Sequence, residues 1–408
     1  MLVVVAPASI NGRMSRPLRA IVIAEISLPH QGGSERVVHT TALRLVHHGW
    51  NVTVYTPAMA GDRAFDDAQP YHVIRSRAWA RIRAWEHRGG MWSRFARLLG
   101  IPLIFFALAL RRWDAAVAVH IIPVALPFTF LRCIGRGPLI SWALGEEIQM
   151  GMKSRAMRWQ ITRSLRAAHL IASISRDTSN AVEALGIPSG KVFLQHPTPD
   201  LLFFRPLRRD RAALRSRLGI EAGGLLLFSV SRLVERKGFD TALLALGALK
   251  REAKLPQIKY WIAGEGAYRV RLEEIVREQE LGDFVRFVGS CTEEEKRDYL
   301  EAADLFLMPN RRLASGEQEG FGIVFQEAAM RGTPVVGGRS GGAPDAVGEG
   351  ISGWLVNPDS PAELTALLRE ILNDAPRLAA MRKEVRRWSV KHFLPHARMN
   401  ELNARLRG

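Results

Sequence analysis

Residues 19–55, RAIVIAEISLPHQGGSERVVHTTALRLVHHGWNVTVY, contain the pattern that decides the fold. Residues 19–24 form an apolar run that predicts a buried strand, and residues 51–55 form a second one. Between them lie a loop with Gly32 and Gly33 and a stretch that predicts a helix. Strand, loop, helix and strand make a βαβ unit, whose loop lies at the carboxyl end of the first strand. Gly32 and Gly33 are therefore placed either to receive a phosphate or only to make the turn.

The same alternation continues along the chain and predicts two doubly wound α/β domains. Further strands are predicted at residues 115–119, 139–142, 170–175, 190–194, 225–230, 260–263, 285–289, 305–308 and 334–338. A chain of 408 residues exceeds the usual size of one hydrophobic core. Prolines cluster between Pro197 and Pro206, so we place the domains at residues 1–205 and 206–385. The remainder, 386–408, is expected to be a terminal helix that crosses back to the first domain.

Cysteine use and hydropathy indicate a cytoplasmic protein. Cys133 and Cys291 are far apart in sequence, which argues for a reducing compartment without disulfides or structural zinc. The apolar opening, residues 1–6, is short and follows no basic stretch, so no signal peptide is expected. The longest apolar run, residues 117–134, contains prolines and charged residues and is interpreted as a strand and a helix.

The net charge of +17 is concentrated in the first half of the chain. The densest part, Arg75 to Trp113, holds nine arginines and one acid, Glu86; we call it the Arg/Trp segment. Its tryptophans are Trp79, Trp85, Trp92 and Trp113. Interleaved arginine and tryptophan suit an anionic membrane surface, with nucleic acid or a solvated basic face as alternatives. For membrane contact we select four arginines: Arg81, Arg83, Arg94 and Arg97.

A second informative stretch is residues 319–327, EGFGIVFQE. Glu319 and Glu327 are eight residues apart, and glycines at 320 and 322 precede a short segment that predicts an amphipathic helix ending at Met330. Helical periodicity would place both acids near one face. Glycines at a helix N-terminus also let an anion approach the backbone. The alternative is a solvated helix with two surface acids.

A basic loop, residues 231–238, follows the strand predicted at 225–230. Arg232 and Lys237 lie five residues apart in it, where both could reach one diphosphate. The alternative is two exposed basic residues in a chain that has many. No Asp-x-Asp motif is present in the sequence, which argues against a diphosphate site that depends on a metal ion.

Together these motifs resemble the retaining GT-B glycosyltransferases of family 4, which include the phosphatidylinositol mannosyltransferases. The resemblance covers most of the chain and is thin at residues 60–110. It rests on residues 229–238, 263–266, 319–327 and 341–345, and more loosely on Gly32-Gly33, His120, 145–147 and 200–206. It implies a GT-B fold: two Rossmann-like domains that face a cleft, with a C-terminal helix that crosses back to the first domain.

The resemblance also implies roles for individual residues. Arg232 and Lys237 would hold the diphosphate, Glu319 the hydroxyls of the donor sugar, and Glu327 those of the ribose. The donor would lie against Gly32, Gly33, Gly264, Gly266, Gly320, Phe321, Gly322, Ile323, Val324 and Glu327.

On the acceptor side, the resemblance places His120 near the reacting sugar, although a histidine at a strand end is often structural. Glu146 and Glu147 occupy a stretch where relatives carry His-Gly-x-Glu, and Leu144 stands in place of the histidine. The implied reaction is retaining and front-face, with the leaving phosphate taking the acceptor proton. No cofactor and no metal are expected, because Arg232 and Lys237 would supply the positive charge.

We therefore expect a hexosyltransferase that moves a hexose, with mannose favoured, from GDP-mannose or another nucleotide-diphosphate sugar. The expected acceptor is lipid-linked or a glycan, as in cell-envelope glycolipid or polysaccharide biosynthesis. The expected partners are the nucleotide sugar and an anionic membrane surface, without nucleic acid, at the inner face of the plasma membrane. The alternatives are a UDP-sugar-dependent enzyme with a soluble acceptor and a basic membrane- or nucleic-acid-binding protein without catalysis. A nicotinamide dehydrogenase is disfavoured because Gly264-x-Gly266 lacks the third glycine of its fingerprint.

Overall fold

The computed structural model describes residues 16–29, 32–59, 62–86, 102, 104–106, 108–120, 127, 137–152, 154–208, 210–252, 257–393 and 402–407. The predictions for residues 1–6, for the helix after residue 120 and for Trp92, Arg94 and Arg97 lie outside these ranges. The chain divides into two compact units. The first comprises residues 1–197 and 395–408, and the second comprises residues 198–394.

The first unit is built on a sheet of seven parallel strands in the order β3-β2-β1-β4-β5-β6-β7. They are β1 Arg19–Ile23, β2 Asn51–Pro57, β3 His72–Ser76, β4 Ala115–Ala118, β5 Leu139–Ala143, β6 Leu170–Ser173 and β7 Val192–Leu194. Val22 of β1 pairs with Val54 on one side and Val117 on the other. The central strands are buried and almost entirely apolar, apart from the exposed Arg19 at the start of β1 and the buried Ser141 of β5, as expected when helices cover both faces of a parallel sheet.

Six helices of the first unit have described bounds, and two of them begin after a serine that accepts from a free backbone amide. They are α1 Gly33–His47, α2 Asp62–Asp67, α3 Arg77–Glu86, α4 Glu146–Met152, α5 Arg155–Ala167 and α6 Arg176–Glu183. The side chain of Ser154 accepts from the Met157 amide at the start of α5, and that of Ser175 accepts from the Thr178 amide at the start of α6. A single turn of 3-10 helix, Ser189–Lys191, precedes β7.

The end of the chain contacts the first unit. The indole of Trp50 donates to Asn403 at 2.8 Å, and Arg407 donates to the carbonyl of His48 at 2.9 Å. Residues 402–407 are helical.

The second unit has a sheet of six parallel strands in the order β10-β9-β8-β11-β12-β13. They are β8 Leu225–Val230, β9 Ile258–Ala263, β10 Val285–Gly289, β11 Leu305–Met308, β12 Val335–Gly338 and β13 Gly353–Val356. The surrounding helices are α7 Leu201–Phe204, α8 Arg211–Arg217, α9 Phe239–Arg251, α10 Arg269–Glu278, α11 Glu293–Ala302, α12 Ile323–Met330, α13 Ala343–Ala346, α14 Pro361–Leu372 and α15 Ala375–Phe393.

Helix α15 differs from the terminal helix predicted over residues 386–408. It begins at Ala375, and its described part packs within the second unit, where Arg382 donates to the Ala303 carbonyl at 2.7 Å and Arg386 donates to the Phe204 carbonyl at 3.2 Å. The next described residues after α15, 402–407, belong to the first unit.

The prediction of two doubly wound α/β units is confirmed. Two strands, β3 and β13, were missing from the prediction, and each lies at an edge of its sheet. Strand β3, HVIRS, is only partly buried and lacks a continuous apolar run, as is common at a sheet edge, whereas β13, GWLV, is apolar but only four residues long. Over the described ranges, none of the helices is both long and apolar enough to cross a membrane.

Candidate functional site

The sheet of the second unit changes its direction of winding between β8 and β11. The chain adds β9 and β10 on one side of β8, and β11 to β13 on the other. Leu227 of β8 pairs with Leu305 of β11, so the loops that follow these two strands leave the same edge as neighbours. In open α/β sheets, ligands bind at such a switch point, beyond the carboxyl ends of the strands.

The loop after β8 carries the predicted cations. Lys237 ends a 3-10 turn, Glu235–Lys237, and is buried, whereas Arg232 is exposed. Gly238 follows with φ 73°, and a β-carbon there would lie 2.0 Å from the Pro309 carbonyl oxygen. Only glycine fits this position, because the loop after β8 packs directly against the backbone of the loop after β11.

The loop after β11 brings Glu319 to these cations. A carboxylate oxygen of Glu319, Oε2, lies 2.5 Å from Lys237 Nζ and 3.6 Å from Arg236 Nη1. Arg236 also donates to the Gln318 carbonyl at 3.1 Å. Arg236 was missing from the predicted site, although it neighbours Lys237 in the same basic loop.

Opposing effects act on the pKa values of this cluster. Burial lowers the pKa of the Lys237 ammonium, and the negative charge of Glu319 works against that shift. Burial raises the pKa of the Glu319 carboxyl, but the charges of Lys237 and Arg236 outweigh it, so its pKa lies below the usual value. Glu319 is therefore ionised at neutral pH.

The cluster has a surplus of positive charge. Arg236 and Lys237 share a single carboxylate, that of Glu319, and the charge of Arg232 is close enough to Lys237 to lower its pKa further. Within the described residues, the Arg232 guanidinium forms no hydrogen bond or ion pair. Such an arrangement can accept an anion of more than one charge.

Glu327 occupies a separate position. It lies on α12, its side chain is buried, and its Oε2 is 2.9 Å from Lys296 Nζ of α11. Lys296 was also missing from the prediction because it lies 31 positions before Glu327 and in no recognisable motif. Glu319 and Glu327 thus have different cationic partners in this structure.

The prediction that both acids share a helix face is wrong. Helix α12 begins only at Ile323, after Glu319, and its first residue follows Gly322 with φ 84° and ψ 61°. This left-handed residue breaks the helical periodicity between the two acids. The helix is also not amphipathic, because Phe325 to Met330 are all buried.

The backbone between the two acids is packed closely. A β-carbon at Gly342 would lie 2.0 Å from the Gly320 carbonyl oxygen, and the Gly342 amide donates to the Glu319 carbonyl at 2.9 Å. The side chain of Phe321 is in the core, with its ring edge-on to Phe393 at 6.4 Å. Only the main chain of Phe321 is therefore able to face a ligand.

At the start of α12, Ile323 and Val324 are partly exposed. Their amides belong to the first turn, where helical geometry provides no acceptor.

Gly264 and Gly266 follow the neighbouring strand β9 and pack against the backbone of the loop that contains Arg232. Their β-carbons would lie 1.9 Å from the Ser231 carbonyl oxygen and 2.2 Å from that of Leu233. The Leu233 amide donates to the Glu265 carbonyl at 2.9 Å. The structure thus assigns these glycines a positioning function, and their predicted contact with a donor stays a prediction.

The first unit has an equivalent switch point between β1 and β4. His120 follows β4, and its Nδ1 accepts from the Glu25 amide, after β1, at 3.2 Å. Burial, with a smaller effect of the Arg83 charge, lowers the pKa of His120 to about 4. The imidazole is therefore neutral at pH 7, and its proton is on Nε2 because Nδ1 accepts.

Gly32 and Gly33 lie at the start of α1, but an acid already occupies this position. Gly32 is extended, with φ 179°, and a β-carbon on it would lie 2.2 Å from Glu35 Oε2. Ser34 donates to the same oxygen at 2.8 Å. A phosphate that approaches Gly32 has to displace this carboxylate.

Glu146 and Glu147 open helix α4, at the carboxyl edge of the same sheet. Glu146 is exposed. Both carboxyl oxygens of Glu147 are buried and have no hydrogen-bond partner in the described part of the chain. Burial raises the pKa of Glu147 to about 8, and the charges of Glu146 and Glu25 add to this effect. The backbone amides of Glu147 and Leu144 work against it, although neither reaches hydrogen-bond geometry. At neutral pH Glu147 is therefore largely protonated and able to donate a hydrogen bond.

Several described side chains of the Arg/Trp segment are engaged within the fold, and its contact with a membrane stays a prediction. Trp79 is buried and stacks on Tyr55 at 5.5 Å, and the buried Trp113 donates to the Leu108 carbonyl at 2.9 Å. Arg83 lies 3.5 Å from a Glu25 carboxylate oxygen. These three side chains are engaged within the fold, whereas Arg77, Arg81 and Arg112 of the same segment are exposed.

Arg75 is engaged in the same way. It forms ion pairs with Asp62 at 3.2 Å and Asp66 at 2.8 Å. Of the four arginines selected for membrane contact, Arg81 is exposed.

No group of three or more potential metal ligands is found among the residues that the structure describes. Cys291 is partly buried, and burial raises the pKa of its thiol to about 11.

Two family models match the chain, one in each half. Residues 31–201 match the model described as Glycosyltransferase Family 4, and residues 210–388 match Glycosyl transferases group 1.

A GDP-mannose-dependent alpha-(1-6)-phosphatidylinositol monomannoside mannosyltransferase of Mycolicibacterium smegmatis is 30% identical over 369 residues. The alignment covers 90% of this chain and 92% of that protein. The D-inositol 3-phosphate glycosyltransferase 1 of Catenulispora acidiphila is 31% identical over 223 residues, which cover 53% of this chain and 51% of the relative.

Solved structures agree on the fold. HepE of Anabaena, crystallised with UDP, superposes with a TM-score of 0.75 at 17% identity, covering 95% of this chain and 99% of HepE. WaaG, a glycosyltransferase involved in lipopolysaccharide biosynthesis, gives a TM-score of 0.68 at 18% identity, covering 95% of this chain and all of WaaG. The predicted GT-B fold class is confirmed. The chain belongs to glycosyltransferase family 4.

Proposed function

We propose that the protein is a retaining hexosyltransferase that transfers a hexose, with mannose favoured, from a nucleotide-diphosphate sugar to a lipid-linked or glycan acceptor. The surplus positive charge around Glu319 is the observation that carries this proposal. Arg232, Arg236 and Lys237 provide three cations against one carboxylate at the switch point of the second unit. A diphosphate of two or more negative charges complements that surplus.

The same cluster suits the chemistry of transfer. The bond between C1 of the sugar and the phosphate oxygen breaks, a bond forms between C1 and an acceptor hydroxyl oxygen, and the hydroxyl proton passes to the leaving phosphate. Negative charge therefore builds up on the diphosphate, where fixed cations lower the barrier. Glu319, held ionised by its neighbours, accepts hydrogen bonds from sugar hydroxyls.

In this proposal no metal is needed, because Arg232, Arg236 and Lys237 neutralise the leaving group. Glu327, paired with Lys296, is assigned to the ribose hydroxyls. His120 is assigned to a substrate hydroxyl as a neutral Nε2–H donor. Mannose is favoured because of the GDP-mannose dependence in the name of the mycobacterial relative. A lipid-linked acceptor would place the protein at the inner face of the plasma membrane, as a peripheral protein of cell-envelope biosynthesis.

The test is a donor screen with the full-length protein. GDP-mannose, UDP-glucose and related sugars are incubated with membrane lipid extract or with soluble glycans, with and without EDTA, and products are identified by mass and anomeric configuration. We expect release of GDP, an α-linked product and no effect of EDTA. Turnover with UDP-sugars and a soluble acceptor would instead support the alternative enzyme. No turnover with any donor would refute the proposal.

A further inference from the structure

Helix α5, Arg155–Ala167, carries a basic face that the site described above does not use. Its sequence, RAMRWQITRSLRA, has four arginines and no acid. Ile161, Ser164, Leu165 and Ala167 are buried beneath it. The opposite face is exposed and carries residues three or four positions apart, which share one side of a helix: Arg155, Arg158, Trp159, Arg163 and Arg166.

Trp159 is the unusual member of this face. It is 63% exposed, whereas Trp79 and Trp113 are buried. The guanidinium of Arg163 lies 5.8 Å from the centre of its ring, so the two side chains form one amphipathic pair. An exposed indole leaves a large apolar area in water, which is recovered when the ring enters an apolar or interfacial environment.

The exposed face also has a concave part. A shallow depression of about 540 Å³ is bordered by the arginines and Trp159, and Ala167 and Leu185 form an apolar floor. This volume is within the range of small-molecule sites, about 300–1,000 Å³. The depression therefore offers guanidinium donors at its rim and apolar contacts at its base.

Three of these arginines, Arg155, Arg158 and Arg163, are available for an anionic ligand. Arg155, Arg158 and Arg163 form no ion pair with a carboxylate of the described residues. A further cation lies close by, since Lys191 Nζ donates to the Arg166 carbonyl at 3.0 Å. Arg155, Arg158 and Arg163 thus place three positive charges without a described carboxylate partner beside an exposed tryptophan.

We propose that this face of α5, with its depression, is the surface by which the protein binds an anionic phospholipid bilayer. Lipid phosphates occupy the depression between Arg155, Arg158 and Arg163, and Trp159 inserts at the level of the headgroups. Arginine suits lipid phosphate because its planar fork donates two parallel hydrogen bonds, and tryptophan is enriched at the membrane interface. The exposed indole and apolar floor favour a bilayer over a nucleic acid. The inference rests on the proposed function, in which the acceptor is lipid-linked.

The test compares vesicle binding by the full-length protein and two variants of equal charge. Binding to phosphatidylcholine vesicles with 30% phosphatidylglycerol is measured by co-sedimentation and titration, with pure phosphatidylcholine as the reference. R158E/R163E changes α5, and R251E/R277E reverses two exposed arginines of the second unit. We expect at least a tenfold loss of vesicle affinity for R158E/R163E and less than a twofold loss for R251E/R277E. W159A should lose affinity for anionic vesicles while its net charge is unchanged.

The inference would be overturned if R158E/R163E bound vesicles at the wild-type level, or if both charge-reversed variants lost equal affinity. Oligonucleotide binding is measured on the same variants. A loss of oligonucleotide binding without a loss of vesicle binding would also overturn the inference. Circular dichroism verifies that each variant is folded. Donor turnover is measured separately, so that the two proposals fail in different ways. Vesicle binding without any sugar transfer would refute the proposed function and support the membrane-binding face of α5. Sugar transfer without vesicle binding would support the proposed function and refute the membrane-binding face.

Discussion

Arg232 and Lys237 lie in one loop but differ in what the fold requires of them. Lys237 is buried against the Glu319 carboxylate, whereas Arg232 is exposed and makes no hydrogen bond or ion pair with any described residue. Both contribute positive charge where the proposed diphosphate binds. Substitution of each should therefore separate the catalytic effect from the structural one.

We expect Arg232→Ala to lower kcat/KM by about 10²- to 10³-fold, because a preorganised cation is lost, with a change in unfolding free energy below about 0.5 kcal/mol. Lys237→Ala should cause a similar loss of activity and also destabilise the protein by about 3 kcal/mol, because Glu319 stays buried beside Arg236 alone. Steady-state kinetics and chemical denaturation measure both effects, with Lys250→Ala on α9 as the control. Equal stability losses in the two variants would contradict this distinction.

Glu147 offers a prediction about pH. Its folded-state pKa of about 8 lies above the ordinary carboxyl value of 4.5, so the folded state holds this proton more tightly than the unfolded state does. The contribution of Glu147 to stability is therefore most favourable below about pH 4.5 and falls as the pH rises to about 8. Between these two pH values, the contribution of Glu147 to the free energy of unfolding changes by about 5 kcal/mol if burial is fully maintained.

We expect Glu147→Gln to be about as stable as the wild type at pH 5 and clearly more stable at pH 8.5. Thermal unfolding at both values of pH measures the difference, with the exposed Glu183→Gln of α6 as the control. A difference between Glu147→Gln and the wild type that is the same at both pH values would show that the carboxyl is hydrated and not buried.

At the scale of elements, Gly322 determines how the loop after β11 becomes α12. Its φ of 84° suits glycine, and a β-carbon would lie 2.5 Å from the ring of Phe325. We expect Gly322→Ala to destabilise the protein by about 2–4 kcal/mol, from left-handed strain and overpacking together. It should also weaken donor binding, because Glu319 is displaced from Lys237.

Denaturant midpoints and donor KM values test this, and Gly282→Ala is a suitable control because open space surrounds that glycine. If Gly322→Ala has the stability of Gly282→Ala, the left-handed turn does not constrain the loop.

The same element shows how far sequence patterns extend. Buried central strands such as residues 225–230 were predictable, because both faces of a parallel strand are covered and the run is continuously apolar. The relative orientation of the Glu319 and Glu327 side chains was not predictable from helical periodicity, because the left-handed Gly322 lies between them and the helix begins only after it. Arg236 and Lys296 were missed for a related reason: their importance depends on contacts across loops and helices, not on sequence spacing.

For the whole molecule, net charge proved less informative than its distribution over the folded surface. The Arg/Trp segment was the natural candidate for a membrane surface, yet Arg75 and Arg83 pair with acids and Trp79 is in the core. A shorter and less conspicuous stretch, α5, combines exposed arginines with an exposed tryptophan. Composition can give the magnitude of a charge excess, but the fold decides which charges are compensated internally.

Whether the three cations at the donor site bind a diphosphate without a metal ion can be tested on the intact protein. If Arg232, Arg236 and Lys237 replace a metal, then GDP or UDP should stabilise the full-length chain in EDTA as well as in Mg²⁺. At a ligand concentration of 100 times Kd, binding contributes about 2.7 kcal/mol, which should raise Tm by a few degrees. Hydrogen exchange should slow in the loops at residues 231–238 and 309–322. Arg232→Ala should lose most of the shift. A shift that EDTA abolishes would show that a metal ion holds the diphosphate and that the three cations alone are insufficient.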